Sequence, residues 1–258
     1  MTAIAAHTTW MTGRQLRAIA RQPAYLVITL IQPVIWLFLF GSLFRKVVEL
    51  PGFGTRSYLD YLVPGVVIMS ALSTSMWSGM TVLEEIDRGT MDRFLVLPLH
   101  RSAIINASVV VQSLTTAAQS VIIVLIGWAA GAHYQGGIPG VLILLVASVL
   151  VAVVFSALSN TIGMLARQRE TIIGLSTFLL LPLTFLSTAF MATSLMPHWM
   201  RLVADGNPVN WALEAGRAAM SASPDWGRVL TQGGGLTLLA MAVTALSVRT
   251  FRAYQKSV

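Results

Sequence analysis

The chain of 258 residues is too apolar for an ordinary soluble protein: 55% of its residues are hydrophobic and 10% are charged, against about 25% charged in soluble domains. Its net charge of +7 fits the basic cytoplasmic loops of membrane proteins and does not indicate a nucleic-acid partner. The absence of cysteine excludes disulfides and thiolate metal sites. The composition therefore predicts an all-α, polytopic membrane protein.

The N-terminal segment, residues 1–22, is predicted to form an amphipathic helix on the cytoplasmic leaflet. Arg14, Arg17 and Arg21 are spaced so that they share one helical face. A basic face of this kind binds anionic lipid headgroups, so membrane lipid is an expected partner. Contact with a cytoplasmic protein is the alternative. The apolar run that follows is too long for a signal peptide and is interpreted as a retained first span.

Six apolar segments approach or exceed the about 20 residues that cross a bilayer core. Their approximate bounds are Pro23–Phe44, Tyr58–Leu83, Ala103–Ala132, Ile138–Ala166, Thr171–Met191 and Val229–Val248. The last is the weakest, because Gly233, Gly234 and Gly235 lower helix propensity near its start. No linker divides the chain, so residues 1–258 are predicted to form a single transmembrane domain without a nucleotide-binding domain.

Lysine and arginine are unevenly divided between the two sides of this arrangement. Eleven of the 17 fall on the side that carries both termini and the loop after the second span. Because basic residues accumulate in cytoplasmic loops, both termini and that loop are predicted to be cytoplasmic, in the plasma membrane.

The loop after the second span, residues 84–98, is the most charged part of the chain and cannot lie in hydrocarbon. Thr90 can cap a short helix, and Asp92 places an acid in its first turn. Phe94 and Leu95 then offer apolar surface. We interpret this docking segment, residues 84–98, as a cytoplasmic coupling helix that a partner protein grips.

Polar and small residues inside the spans have two open interpretations. Gln112, Thr116 and Gln119 on the third span either line a transport pathway or form interhelical hydrogen bonds. Met76 belongs to a methionine series that suits apolar ligands or ordinary packing. The small residues from Ser148 to Gly163 favour close helix packing, and they also offer a contact surface for a second membrane chain, identical or related.

The segment between the fifth and sixth spans, residues 192–228, is predicted to be an outer re-entrant or interfacial helix pair. Trp199 and Trp211 suit the membrane interface. Asn207 and Pro208 break the chain between them. We interpret these four residues as the outer gate of a pathway.

Several kinds of chemistry are missing from the sequence. It has no GxxxxGK[ST] phosphate loop, no GxGxxG and no HExxH, and its four histidines are scattered. The chain is therefore not expected to be an enzyme or to hold a metal. Every Asp, Glu, Lys and Arg maps to a loop or a span end, which disfavours transport coupled to protons or sodium.

Two segments resemble the type-2 ABC exporter permeases, and most closely the daunorubicin-resistance permease group. The first segment is Glu85-x-x-Arg88-Gly89-Thr90-x-x-Arg93-x-Leu95-x-x-Pro98-x-x-Arg101. The second is Pro197-x-Trp199-(x7)-Asn207-Pro208-x-x-Trp211-x-x-Glu214-Ala215-x-Arg217. The likeness covers nearly the whole chain. It departs at Phe94 and Leu97, which keep apolar volume but differ from the residues common in that family.

This resemblance implies that a separate ABC ATPase subunit docks on the chain, at Glu85, Arg88, Gly89, Thr90, Asp92, Arg93, Phe94 and Leu95. ATP and magnesium would be bound by that subunit, with no cofactor on this chain. It also implies pairing with a second permease chain, identical or a sister. The expected cargo is a small amphipathic drug, antibiotic, polyketide or lipid moved outward. A permease for lipid-linked glycans, a secondary transporter and a membrane scaffold remain as alternatives.

Overall fold

The computed structural model describes residues 2–46, 57–87, 102–166 and 168–254. Within these ranges every regular element is helical, which confirms the predicted all-α class. The α-helices of these ranges are α1 (Thr2–Ala20), α2 (Pro23–Leu43), α3 (Tyr58–Met76), α4 (Ser78–Asp87), α5 (Ser102–Ala129), α6 (Gly137–Ala166), α7 (Arg169–Phe185), α8 (His198–Asp205), α9 (Pro208–Met220) and α10 (Trp226–Tyr254).

Four helical segments of the described chain are long and apolar enough to cross a membrane. They are Tyr58–Glu85, Asn106–Ala129, Gly137–Ala166 and Trp226–Thr250. These correspond to the second, third, fourth and sixth predicted spans. The first predicted span coincides with α2, whose apolar part Val27–Leu43 is shorter, and the fifth with α7, which has 17 residues.

The fifth predicted span was placed too far along the chain, because α7 ends at Phe185 rather than near Met191. Residues 186–192 form a series of bends. The Ser187 hydroxyl donates a hydrogen bond to the Thr184 carbonyl oxygen (2.6 Å), and other side chains bind the carbonyl groups beyond it. These side-chain bonds replace the helical ones, so the helix stops while its backbone stays satisfied.

The second predicted span is interrupted at Trp77, between α3 and α4. Beyond this break, α4 continues to Asp87, so Glu84 and Glu85 belong to α4 rather than to a separate docking helix as predicted. Residues 88–98 of the docking segment lie outside the described residues.

The three consecutive glycines did not weaken the last helix as the sequence suggested. Residues 233–235 lie inside α10, which runs unbroken for 29 residues. In an apolar environment the backbone must satisfy its own hydrogen bonds, and this requirement outweighs the about 1 kcal/mol helix penalty of each glycine.

The core is built around α3, whose Leu62, Ile68 and Leu72 are fully buried. Beside it, α6 packs against α3, α4, α5, α9 and α10. The small residues of α6 from Ser148 to Gly163 are buried in this packing, and a Cβ on Gly163 would lie 2.8 Å from the Gly79 carbonyl oxygen. The close-packing interpretation is confirmed, but the packing is internal. This stripe therefore leaves no surface for a second chain.

Candidate functional site

Polar side chains concentrate at the two ends of the helix bundle. We call residues 186–228 the α9 end. The α1 end consists of α1, the last turn of α4 and the first turn of α7. Buried hydrogen bonds fix the α9 end, which also has one ion pair, Arg228–Glu214 (3.9 Å), whereas two ion pairs join the helices at the α1 end.

Asn207 connects the break between α8 and α9 to the end of α7. Its side-chain oxygen accepts a hydrogen bond from the Val209 amide (2.9 Å), which caps α9. Its amide nitrogen donates to the carbonyl oxygens of Leu183 (2.9 Å) and Leu186 (3.0 Å). Pro208 follows at the first helical position, where its missing N–H costs nothing. Asn207 thus satisfies backbone groups of two elements at once.

Asn210, one turn further along α9, binds the same non-helical segment. Its side-chain oxygen accepts hydrogen bonds from the Thr188 amide (3.0 Å) and the Thr188 hydroxyl (2.7 Å). Its amide nitrogen donates to Glu214 (3.2 Å). Glu214 also accepts from Gln232 of α10 (3.3 Å). The network therefore links the end of α7 to α10 through α9.

Arg217 is the charged member of this network. Its guanidinium donates to the carbonyl oxygens of Thr188 (2.6 Å), Ala189 (3.0 Å) and Tyr61 (3.1 Å). It also lies 3.6 Å from the centroid of the Tyr61 ring, within the range of a cation–π contact. Tyr61 in turn donates to the Thr188 carbonyl oxygen (2.6 Å). A cation here stabilises the carbonyl groups that follow the C-terminus of α7.

Sequence reasoning missed the role of Arg217, which it recorded as the last residue of the second family-like segment and as an outer charge without assigning it a structural role. One signal was available in the spacing of the polar residues. Asn210, Glu214 and Arg217 recur at intervals of four and three, so they share one face of α9. Their partners could not be identified, since Tyr61 is 156 positions away.

The two tryptophans of the predicted gate have different surroundings. Trp199 of α8 is 59% exposed, and its place at a membrane interface stays a prediction. Trp211 of α9 donates its indole N–H to the Asp205 carbonyl oxygen (2.7 Å) and contacts α10 beside Gly235. Trp211 therefore closes the α8–α9 turn.

A second group of hydrogen bonds satisfies the break between α3 and α4. The Met76 carbonyl oxygen accepts from the hydroxyls of Ser159 (2.6 Å) and Ser176 (3.0 Å). The Gly79 amide donates to Ser159 (2.9 Å), and Ser78 donates to Asn160 (2.9 Å). Side chains of α6 and α7 thus replace the helical bonds that the break removes, as they do at other helix kinks.

At the α1 end, two ion pairs hold the last turn of α4. Arg14 of α1 lies 3.2 Å from Glu85, and their side chains are 38% and 17% exposed. Arg169 of α7 lies 3.0 Å from Asp87, with 51% and 49% exposed. The acidic end of α4 is therefore joined to α1 on one side and to α7 on the other. Glu85, predicted to contact a partner, is already engaged within the chain.

The other basic residues of α1, Arg17 and Arg21, do not join α1 to another described helix. Arg17 donates to the Gly13 carbonyl oxygen of its own helix (3.1 Å), and Arg21 is exposed. The predicted docking residues Arg88, Gly89, Thr90, Asp92, Arg93, Phe94 and Leu95 lie outside the described residues.

The residues predicted to line a pathway are not brought together at one surface. Met76 and Thr116 are buried between helices. Gln112 donates to Thr74 of α3 (3.3 Å), which is an interhelical hydrogen bond, and to Thr116 of its own helix (3.3 Å). Gln119 lines a cavity between α2, α3, α5 and α7, together with Met69.

Comparison with known proteins identifies the family. The sequence model of the ABC-2 type transporter family matches residues 6–221. The daunorubicin resistance ABC transporter permease protein DrrB1 of Streptomyces coeruleorubidus is 29% identical, with 98% of this chain and 89% of the relative covered. The ycf38 transport permease of Pyropia yezoensis is 33% identical, with 80% and 70% covered. The doxorubicin resistance permease protein DrrC of Mycobacterium tuberculosis is 19% identical over 85% and 78%. This chain belongs to the ABC-2 type transporter family of membrane permeases.

Proposed function

We propose that this chain is the membrane subunit of an ATP-driven exporter in the plasma membrane. It would cross the bilayer six times, with both termini cytoplasmic. Besides the four long spans, α2 and α7 would cross. At 1.5 Å per residue, the 21 residues of α2 extend about 31 Å and the 17 of α7 about 26 Å. These lengths approach the bilayer core thickness of about 30 Å.

The observation that carries the proposal is the position of the acidic end of α4. This end is the first part of the docking segment and is ion-paired to both α1 and α7. A displacement of the docking segment by an ATPase subunit would therefore reach three helices at once. The break at Trp77 offers a hinge, because its hydrogen bonds come from hydroxyl side chains rather than from the helix itself.

The proposed direction of transport assigns the α9 end to the outer side, and the names of two relatives support the proposed cargo. Residues 192–228 would lie on the outer side and close the pathway there. Two relatives are named for resistance to daunorubicin and doxorubicin. A small amphipathic drug, antibiotic, polyketide or lipid is therefore the proposed cargo.

A second permease chain would complete the pathway. Because the small stripe of α6 is buried internally, the contact must use another surface. We place it on the side of α2 turned away from Gln32, where Ile31, Ile35 and Phe38 are exposed and apolar. A membrane face of this kind can contact lipid or another helix equally well.

The test uses charge in the docking segment. Replacing Phe94 and Leu95 together with aspartate should abolish co-purification with the ATPase subunit and ATP-dependent daunorubicin uptake into inverted vesicles. Two desolvated apolar contacts would become unpaired charges. The matched control places aspartate at Gln22 and Gln168, which precede α2 and α7 and are exposed. Undiminished co-purification of the Phe94 and Leu95 variant would contradict the proposal.

A further inference from the structure

The cavity between α2, α3, α5 and α7 has a volume of about 210 Å³. Its side chains carry no ionisable group. They are Thr29, Gln32, Pro33, Trp36, Val66, Met69, Ser70, Ser73, Thr74, Gln119, Leu180, Leu181, Thr184 and Phe185. A charged ligand would therefore find no counter-charge in a desolvated site, which is costly. The lining suits a neutral molecule.

The polar and apolar parts of this cavity are separated along the bundle axis. On α2, which runs away from the α1 end, Thr29 and Gln32 come before Trp36. On α3, which runs in the opposite direction, Val66 comes before Ser73. The far part of α7 adds Leu180, Leu181 and Phe185, with the buried Thr184 as the one polar exception. The cavity is therefore polar toward the α1 end and apolar toward the α9 end.

The apolar part has a rigid aromatic wall. The Trp36 ring stacks on Phe40, with centroids 4.7 Å apart, and on Phe190 at 5.4 Å. Rings held in this way lose little conformational freedom when a ligand binds against them.

Two polar groups of the cavity are available to a ligand. Pro33 has no N–H, so the Thr29 carbonyl oxygen lacks its helical partner. Gln119 replaces that partner by donating to Thr29 (3.1 Å). In contrast, the Gln32 amide and the Ser73 hydroxyl make no side-chain hydrogen bond to any residue of the described ranges. An amide in hydrocarbon without a partner is costly, so Gln32 favours occupation of the cavity by a hydrogen-bonding molecule.

The cavity opens sideways between α2 and α7. Gln32 on α2 and Leu181 and Phe185 on α7 line it and are also exposed. A molecule could enter from the membrane through this opening without passing through the helix bundle. The opening thus admits ligands that partition into lipid.

We infer that this cavity within a single chain is a binding site for a neutral amphipathic molecule. The apolar ring system of the ligand lies against Trp36, and its hydroxyl, carbonyl or amine group faces Gln32 and Ser73. The inference rests on the proposed function only in identifying this ligand as cargo. Binding itself requires neither ATP nor a partner subunit.

The test measures binding of 1-aminoanthracene, which is neutral at pH 7, to the purified full chain in phosphatidylcholine nanodiscs. Replacing Ser73 with phenylalanine or Met69 with tryptophan fills the cavity and should weaken saturable binding by about tenfold or more. The control replaces Val146, 59% exposed on α6, with phenylalanine and should leave binding unchanged. Thermal unfolding checks that each variant is folded.

A second comparison tests the polar part of the site. Replacing Gln32 with leucine should weaken 1-aminoanthracene binding by about threefold to tenfold while leaving anthracene, which has no polar group, unaffected. The anionic dye 8-anilinonaphthalene-1-sulfonate should not compete with 1-aminoanthracene. Unchanged binding in the folded Ser73 and Met69 variants, or competition by the anion, would overturn the inference. If only the binding-site inference is wrong, the chain should still co-purify with the ATPase subunit. If the proposed function is wrong, co-purification should fail as well.

Discussion

The two ends of this permease are held together by different kinds of polar interaction. At the α9 end, Asn207, Asn210 and Arg217 bind the carbonyl and hydroxyl groups of a non-helical segment inside the packed structure. At the α1 end, helices are joined by ion pairs that water reaches. Buried polar networks are costly to break because they leave unsatisfied groups. Exposed ion pairs contribute at most about 1 kcal/mol.

This difference suggests a division of labour. The α9 end has one well-defined arrangement, and opening it requires the hydrogen bonds to be replaced. The α1 end can exchange its contacts for water at little cost, so its helices can move when a partner acts on them. The proposed function, in which movement enters at the α1 end and release is controlled at the α9 end, requires this asymmetry.

Replacing Arg217 should have the largest effect on the stability of the protein. Replacing Arg217 with methionine removes the guanidinium donor of the Ala189 carbonyl group and one of the two donors of the Thr188 carbonyl group, and it should destabilise the protein by about 3 kcal/mol. Arg201 provides the control, since it also donates to a carbonyl group, that of Met196 (2.9 Å), but is exposed. Its replacement by methionine should change stability by less than about 1 kcal/mol. Thermal unfolding in detergent measures both, and equal effects would contradict the assignment.

Replacing Asn207 should have an intermediate effect on stability, and two variants can separate its role as the cap of α9 from its bonds to the end of α7. Leucine at this position removes the α9 cap and both bonds to the end of α7, and should cost about 2 kcal/mol and make transport leaky or impaired. Serine restores the cap but cannot reach the carbonyl groups of Leu183 and Leu186. Stability and drug efflux should therefore stay well below normal in the serine variant. Full recovery with serine would show that capping is the whole role of Asn207.

Neutralising the ion pairs should show the smallest effect on stability. Replacing Asp87 with asparagine or Glu85 with glutamine should each cost at most about 1 kcal/mol. The Glu85 variant should be the more affected of the two, because Glu85 is less exposed than Asp87. High salt should reduce the difference in unfolding free energy between the unmodified protein and the Asp87 variant. Unfolding scans at low and high salt measure both effects, and a loss as large as that from Arg217 would remove the contrast between the ends.

The sequence predicted those parts of the molecule that depend on local pattern. Apolar length located the long spans, and Asn207-Pro208 indicated the turn before α9. The breaks at Trp77 and after Phe185 were missed, because the hydroxyl and amide groups that make them possible come from distant helices. Ser159 and Ser176 are 83 and 100 positions from Met76. Likewise, the sequence could not show that Glu85 pairs with Arg14 across 71 positions.

The most direct test of the account exchanges the charges of Arg14 and Glu85. ATP-dependent drug transport in vesicles is measured for Arg14→Glu, Glu85→Arg and the double variant, with expression and folding verified. If movement passes through this contact, each single variant should lose most transport, because two like charges repel and separate α1 from α4, and the exchanged pair should recover it. Normal transport in both single variants, or no recovery in the double variant, would contradict the claim that movement passes from α4 to α1 through this contact.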